Sequence, residues 1–566
     1  MTNILKILKK INSLEIFYFI ILFSVVLSFL EYFFIFSIYE IVNYQVTGEL
    51  GEIIKNLIFL TERILNINKS PFDIIFFFIV CSFFFKTLIY IFFNYSISKF
   101  SQNISFKLGK KIFLNSIFNN QDILINKKNS NYFKNTIVVD IPIFISSAIQ
   151  PLFFLLNDLF ILSTIVIFLF FINPSISLLL LIFISITCLI FYLYLKNKLI
   201  VWGKSREKAS SNLLKSLNEV YKGILEIKIY NLGYFFYSRF AKDLKIIKNC
   251  LTNTNFFIHF PRIILEIIIF SSVFILIFLT SNYFSDTNIV PYLSAAIAAA
   301  IKVIPMFSRI MTGVQGYYFA KRVIIKINSM LKYNINLPNF TKSKQKFNKI
   351  NFLKIENLSY QIKGKNLLNK IDLKINSNQI VGIAGESGSG KSTFARIVSG
   401  LDKSFSGSIK FYGTDNKIHY NKPNLGLASI IPQDIFIIDD TLETNISFNQ
   451  SKKIQTQNLN LINSLLKTLG IDYRRKLGED GKKISGGQKQ RVGIIRSLFF
   501  NKEILIFDET TSNLDLRNKI ALFKIIKILK KEKIIIVISH DKKFLKICDK
   551  TYILKNGKLN LKSFSS

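Results

Sequence analysis

The sequence predicts an all-α polytopic membrane domain, six transmembrane helices with long cytoplasmic extensions, followed by an α/β P-loop nucleotide-binding domain. Three observations carry this. Hydrophobic residues make up 50% of the 566, with 57 Phe, and the excess lies almost entirely before residue 325 in long apolar runs. From about residue 350 the pattern alternates strand-like and helical stretches, which argues an α/β domain. Between the apolar run Ile380-Val381-Gly382-Ile383-Ala384 and a helical stretch starting near Phe394 stands Gly385-Glu386-Ser387-Gly388-Ser389-Gly390-Lys391-Ser392-Thr393. It matches G-x-x-x-x-G-K-[ST] in a strand–loop–helix setting, which separates a P-loop from a Gly/Ser-rich turn.

Taken in order, the apolar runs place spans at 16–41, 72–95, 148–172, 176–195, 262–280 and 290–310. Asn173-Pro174-Ser175 turns spans three and four into a tight hairpin. Segment 46–67 carries Leu50, Ile53, Ile54, Leu57, Ile58, Ile64 and Leu65 at helical spacing among charged residues. It reads either as a helix on the outer bilayer surface or as an ordinary packed loop helix. The loops 96–144 and 196–259 are too long for connectors and show helical patterning, so the spans extend beyond the bilayer as hairpins. Their tips fall near 122–130 and 230–237. The polar stretch 333–349 contains Pro338 and reads as a linker. The domain division is therefore 1–330 membrane, 331–349 linker and 350–566 nucleotide-binding.

The net charge is +39, and within the membrane half lysines and arginines concentrate at the N-terminus and in the two long loops, whereas the opposite loops are short or charge-balanced. The positive-inside rule then puts the N-terminus, both long loops and everything after span six in the cytoplasm, with the chain multi-pass in the inner (cytoplasmic) membrane. An aromatic-plus-basic platform for nucleic acid is missing. Cys81, Cys188, Cys250 and Cys548 are scattered, with neither metal spacing nor a disulfide pattern. The first apolar run lacks a small-residue cleavage site and reads as a retained span.

The glycines of 385–390 let backbone N–H groups wrap a polyphosphate, and the following helix adds its positive end. Lys391 neutralises phosphate charge and Ser392 offers a Mg²⁺ ligand. Gln433 follows Ile430-Ile431-Pro432. Ile484-Ser485-Gly486-Gly487-Gln488-Lys489-Gln490-Arg491 is a second glycine turn opening a helix. Ile504-Leu505-Ile506-Phe507-Asp508-Glu509 ends a strand in two carboxylates: Asp508 suits Mg²⁺, and Glu509 suits a general base toward water. Ser512-Asn513-Leu514-Asp515 follows, and the strand 534–538 ends at Ser539-His540. Singly, these carboxylates read as a solvated strand end and His540 as a structural histidine.

As an ordered set, these motifs resemble the ATP-binding cassette ATPases across essentially the whole soluble half. The resemblance implies that Gln433 is the Q-loop glutamine, near metal and water, and that Ser485-Gly486-Gly487-Gln488 is the signature. It further implies that Asp508 is the Walker B aspartate, Glu509 the catalytic glutamate, Asp515 the D-loop aspartate and His540 the switch histidine. Tyr360, in Asn357-Leu358-Ser359-Tyr360, would stack on adenine. ATP and Mg²⁺ are the implied cofactors. Ile484 before the signature, Ile494-Ile495-Arg496-Ser497-Leu498 and Ser539 depart from the common pattern without removing a phosphate, metal or catalytic group. Since one chain holds one cassette, and a signature closes over another cassette's P-loop, the resemblance implies a dimer, most simply a homodimer. Six spans plus one cassette is similar to an exporter half-transporter, in which ATP closes the cassettes and access alternates by rigid-body movement.

Lys86, Arg262, Lys302 and Arg309 lie within or at the ends of apolar helices, where charge is costly. They read as a basic cavity for a phosphate or pyrophosphate head group, or as internal ion pairs with Glu31, Asp158 and Glu266. Ser28-Phe29-Leu30-Glu31, Pro261-Arg262 with Leu265-Glu266, and Pro305 with Ser308-Arg309-Ile310 resemble the bacterial flippases for lipid-linked oligosaccharides. That resemblance implies membrane lipid as partner and a polyprenyl-pyrophosphate-linked glycan as substrate. An exporter of lipid A-like lipid, a peptide or drug exporter, and a non-transporting regulatory ATPase stay open.

Overall fold

The computed structural model describes residues 2–48, 55, 71–118, 130–172, 174–283, 289–331, 349–362, 365–402, 404–420, 422–423, 426–450, 456–511 and 516–562. It divides into two compact units, Met1–Pro338 and Asn339–Ser566. They part inside the stretch assigned to the linker, most of which lies outside the described residues. So do most of segment 46–67 and the hairpin tip expected at 122–130.

The membrane unit is helical. It comprises α1 (Thr2–Lys10), α2 (Leu14–Thr47), α3 (Pro71–Phe118), α4 (Ser130–Asn135), α5 (Ile141–Phe144), α6 (Gln150–Ile172), α7 (Pro174–Lys222), α8 (Ile224–Ile229), α9 (Gly233–Tyr283) and α10 (Ile289–Met330). The predicted spans fall in α2, α3, α6, α7, α9 and α10. Among the described residues, Leu14–Thr47, Phe72–Ile117 and Tyr132–Ile172 are long and apolar enough to cross a membrane. The 48 residues of α3 extend about 72 Å at 1.5 Å per residue, well beyond a hydrocarbon core of roughly 30 Å. The basic loops are therefore mostly helix, as the patterning predicts. The second hairpin turns between α8 and α9, where Tyr230, Tyr234 and Phe235 are exposed.

Two π-helical turns, Thr136–Asp140 and Ile145–Ile149, interrupt the run from α4 to α6. This run pairs antiparallel with α10. Arg309 meets Asp158 and Lys326 meets Asp140, each at 2.7 Å. Between those ion pairs the backbones close up. A Cβ on Gly316 would lie 2.1 Å from the Ser147 carbonyl oxygen, and one on Gly313 would lie 2.9 Å from Leu155. Small residues permit such an approach, and buried charges survive because each has a partner.

The short α1 was not legible in the apolar pattern. Its Ile4, Ile7 and Leu8 are fully buried. Lys111 of α3 donates to the carbonyl of Lys10 at 2.8 Å, and Lys107 donates to that of Asn12 at 3.2 Å. Two lysines counted as cytoplasmic loop charge thus also satisfy the negative end of this helix.

The second unit holds two sheets. The antiparallel sheet runs β2 (Lys365–Asn376), β1 (Ile350–Ile362), β4 (Ser406–Gly413), β5 (Ile418–Tyr420). The other runs β10 (Lys558–Lys562), β9 (Lys550–Lys555), β3 (Ile380–Ala384), β8 (Ile534–Ile538), β7 (Ile504–Asp508), β6 (Ala428–Ile431). β9, β3, β8, β7 and β6 are parallel, and β10 is antiparallel to β9. The central strands are continuous apolar runs because both faces are covered: every residue of β8 is buried. The helices of this unit are α11 (Lys391–Val398), α12 (Leu442–Ser447), α13 (Thr456–Leu469), α14 (Gly486–Phe499), α15 (Leu516–Leu529) and α16 (Lys542–Leu545).

The Gly316 contact gives a stability prediction. Gly316→Ala should destabilise the full chain by about 1–3 kcal/mol through overpacking against backbone. Gly109→Ala, where the added methyl meets nothing within 4 Å, should be neutral or gain up to about 1 kcal/mol from helix propensity. Thermal unfolding in detergent measures both, and equal melting temperatures would refute the close crossing.

Candidate active site

The site forms at the carboxyl ends of three neighbouring parallel strands, β3, β8 and β7, where open α/β sheets place ligands. β3 delivers 385–393, β8 delivers His540, and β7 delivers Asp508 and Glu509. The loop after β3 must double back tightly. Gly385 has φ +156°, and a Cβ there would lie 2.6 Å from the Leu554 carbonyl oxygen. Gly390, at φ +104°, is the N-cap of α11.

Lys391 is buried, and its ammonium donates to the carbonyls of Gly385 and Glu386, both at 2.8 Å. The loop thus folds around its own lysine. Burial lowers the Lys391 pKa, opposed by the nearby Glu509 and Asp508 carboxylates. In reverse, burial raises the Asp508 carboxyl above the ordinary range, the Ser392 hydroxyl that hydrogen-bonds it lowers it, and Glu509 raises it further. Asp508 Oδ1 and Ser389 Oγ are buried without a hydrogen-bond partner. An orphaned carboxylate oxygen beside a serine hydroxyl is a fitting donor set for a hard cation such as Mg²⁺.

Glu509 has φ +53°, a left-handed conformation that costs a non-glycine residue roughly 1–3 kcal/mol. Its N–H donates to the Ile538 carbonyl at 2.9 Å, which pins the turn to the neighbouring strand. The carboxylate so placed reaches His540 Nε2 at 3.4 Å, and both side chains keep a solvent face.

The other predicted residues sit differently. Gln433 is exposed in the loop after β6. Ser485 N-caps α14 in a capping box with Gln488: the Ser485 N–H donates to Gln488 Oε1 at 2.9 Å, and the Gln488 N–H donates to Ser485 Oγ at 3.3 Å. Gln488 Nε2 donates onward to the Leu469 carbonyl. Among the described residues, none of the hydrogen bonds of 485–488 reaches residues 385–393. Gly487 packs so closely on α15 that a Cβ would lie 2.8 Å from Asn518 Nδ2. Asp515 lies outside the described residues.

The structure corrects the expectation for Tyr360. Its ring is 4% exposed inside the core, and its hydroxyl donates to Asp402 at 2.7 Å. Burial raises its pKa, and Asp402 raises it further. A ring enclosed on both faces offers none to adenine; the exposed end of β1 is Gln361 and Ile362. Alternation along a bulged strand decides which side chain faces out, and sequence does not show the bulges. Sequence reasoning also missed Gln490, quoted within the signature run yet given no role.

In the membrane unit, Lys86 and Lys302 share Glu31, at 2.6 and 3.0 Å. Arg309 binds Asp158 bidentately, Nε to Oδ2 at 2.7 Å and Nη2 to Oδ1 at 3.0 Å. The side chain of Arg262 lies outside the described residues.

Residues 368–512 match the family model described as ABC transporter. The segment that folds into this site is therefore an ABC transporter domain, carried behind a helical membrane unit. Along its length the chain shares the fold of a solved structure. It superposes on the structure titled "Structure of a bacterial Atm1-family ABC exporter with ATP bound" with a TM-score of 0.71, covering 95% of this chain and 93% of that one at 16% identity. By sequence it is similar to a probable ABC transporter ATP-binding/permease protein of Haemophilus influenzae, 31% identical over 36% of this chain and 38% of that protein. It is also similar to the ATP-dependent lipid A-core flippase of Francisella tularensis, 30% identical over 36% of this chain and 35% of that protein. A third relative, ATP-dependent lipid A-core flippase 2 of Colwellia psychrerythraea, is 28% identical over 47% of this chain and 46% of that protein. The matched stretches thus span under half the length of these relatives.

The elevated Asp508 pKa predicts a function-for-stability exchange. A carboxyl raised on folding contributes stability in full below its unfolded pKa near ~3.9, and that contribution is lost as pH rises through the folded value. Asp508→Asn removes a charge that the nucleotide-free fold disfavours. The variant should melt above wild type at about pH 7, with the difference shrinking toward about pH 4. A lower melting temperature for the variant at neutral pH would contradict the assignment.

Proposed function

We propose that this chain is an ATP-driven exporter half-transporter, working as a homodimer in the inner membrane with the N-terminus and cassette cytoplasmic. It would move an amphipathic substrate from the inner to the outer leaflet. The observation that carries the engine is the convergence of Lys391, Ser392, Asp508, Glu509 and His540 on adjacent strand ends. In this reading Lys391 leaves its two loop carbonyls for the β/γ-phosphates, and the 385–390 N–H groups wrap them. Ser392, Asp508 and Gln433 would hold Mg²⁺, which would screen phosphate charge. Glu509 takes a proton from the attacking water, and His540 fixes that carboxylate from the neighbouring strand. Ser485 and Gly486 are exposed at the start of α14 with the cap closed on itself, which supports closure over a second copy's phosphates, where the sequence assigns Asp515 a part as well.

For the substrate, the supporting geometry is charge balance. Among the described residues, two ammonium groups share one carboxylate at Glu31, whereas Asp158 holds Arg309 bidentately. Lys86 and Lys302, together with Arg309 and the sequence candidate Arg262, suit an anionic lipid head group. We favour a polyprenyl-pyrophosphate-linked oligosaccharide, on the short motifs around Glu31, Arg262 and Arg309. The names of the Francisella and Colwellia relatives favour a second reading, a lipid A-like lipid of the same head-group chemistry.

Reconstitution with each fluorescent lipid tests both readings. Wild type should move one of them in an ATP-dependent manner, and Glu509→Gln should cut ATP turnover by about 10²-fold or more while retaining nucleotide binding. Lys86→Met with Lys302→Met should slow transport at intact basal ATPase activity. ATP turnover without movement of either lipid would leave the engine and overturn the substrate assignment.

A further inference from the structure

The hydrogen bonds of α14 carry a consequence for Gln433. Gln490 is 5% exposed, and both hydrogens of its side-chain amide are spent on the loop after β6: Nε2 donates to the Pro432 carbonyl at 3.2 Å and to the Gln433 carbonyl at 2.7 Å. One turn further along the same helix face, a Cβ on Gly493 would lie 2.7 Å from Ile435 Cδ1, so helix and loop are already in contact. Another turn along, Arg496 Nη2 donates to the Phe436 carbonyl at 2.9 Å, and its Nε donates to the Asn445 carbonyl at 2.9 Å. Residues spaced three apart share a helix face. Here that face fastens successive residues of 432–436 in register, although Gln490 and Gln433 stand 57 residues apart.

We infer that Gln490 is a positioning residue for Gln433, with Gly493 and Arg496 completing a clamp that carries this loop with the helix opened by Ser485. This rests on the ATPase reading above. The Gln433 side chain projects from the very backbone that Gln490 holds. Any displacement of the signature end of α14 is therefore passed to Gln433 by two hydrogen bonds to the carbonyls of the consecutive peptide units that flank its Cα. A buried amide between two carbonyls has a defined reach, and neither a longer nor a shorter side chain makes both bonds. The clamp links the helix that meets a second copy's phosphates to a residue proposed to hold metal beside this chain's own.

The test uses the full chain in detergent. Gln490→Met keeps the shape and removes the donors; Gln490→Asn keeps the amide and loses only its reach, and serves should the first fold poorly. Either should lower kcat for MgATP by about tenfold while KM moves less than about twofold, the pattern of a lost transition-state arrangement. In a Gln433→Ala background the same substitution should cost nothing further, because residues acting as a unit are not additive. An undiminished kcat, a rise in KM alone, or an equal further loss in the Gln433→Ala background would overturn the inference and leave Gln490 a general packing residue. Hydrogen exchange of 433–436 in nucleotide-free protein judges the clamp without turnover. Exchange should quicken by about tenfold in Gln490→Met, and unchanged exchange overturns the clamp. A wild type that hydrolyses no ATP would instead refute the ATPase reading, with exchange still deciding the clamp.

Discussion

Everything in the soluble unit depends on one buried ammonium. Lys391 sits at the mouth of α11 with two carbonyls of its own loop as partners. A lysine in that position is tethered by its own loop. In the reading proposed above, an anion would displace those carbonyls. To hold it there the chain must turn at Gly385 and Gly390 in backbone conformations that a side chain would obstruct. The sheet order then brings β8 and β7 alongside, so that Asp508, Glu509 and His540 arrive at the same edge. Burial acts on these charges in opposite senses, lowering the Lys391 pKa and raising that of Asp508. A polyphosphate with its counter-ion relieves both at once, which is why the cluster reads as a site and not as a stabilising ion-pair network.

The membrane unit solves a related problem with the opposite outcome. There the charges are paired internally, Glu31 with Lys86 and Lys302, Asp158 with Arg309, Asp140 with Lys326. Two of these pairs bracket the close glycine contacts between α10 and the 136–158 run, joining the helices as one antiparallel body. At Glu31 one carboxylate serves two ammonium groups, whereas Lys326 is itself shared by Asp140 and Glu207, at 2.7 and 3.9 Å. In the reading proposed above, an incoming anion would meet the two ammonium groups at Glu31 in a medium that screens charge little.

Between these extremes lies α14. Its first turn is satisfied by its own serine and glutamine, and its next two turns grip the loop that bears Gln433. Local capping and tertiary clamping are thus assigned to successive turns of one helix. In the inference drawn above, closure on its first turn would be passed inward by the face that follows.

How much of this was legible in the sequence follows from the range of the interactions. The six apolar runs, the helical character of the long basic loops, the α/β alternation and the 385–393 turn are encoded in residues close together in the chain, where periodicity and glycine placement speak directly. Asp508, Glu509 and His540 stand at or just past the ends of apolar strands, and only the ordered set of motifs, by its resemblance to the ATP-binding cassette ATPases, singled them out. What sequence by itself could not decide were matters of facing and pairing across long separations. Tyr360 lies on the inner side of a bulged strand, though nothing local to it says so. Which cation binds which carboxylate among Glu31, Lys86, Lys302, Asp158 and Arg309 depends on helix rotation and register. The hold of Gln490 on Pro432 and Gln433 exists only once β6 and α14 have been brought together. Sequence determined the elements and the chemistry at their ends; tertiary structure decided the partners, because a hydrogen bond or ion pair is set by angstroms of packing that no local pattern records.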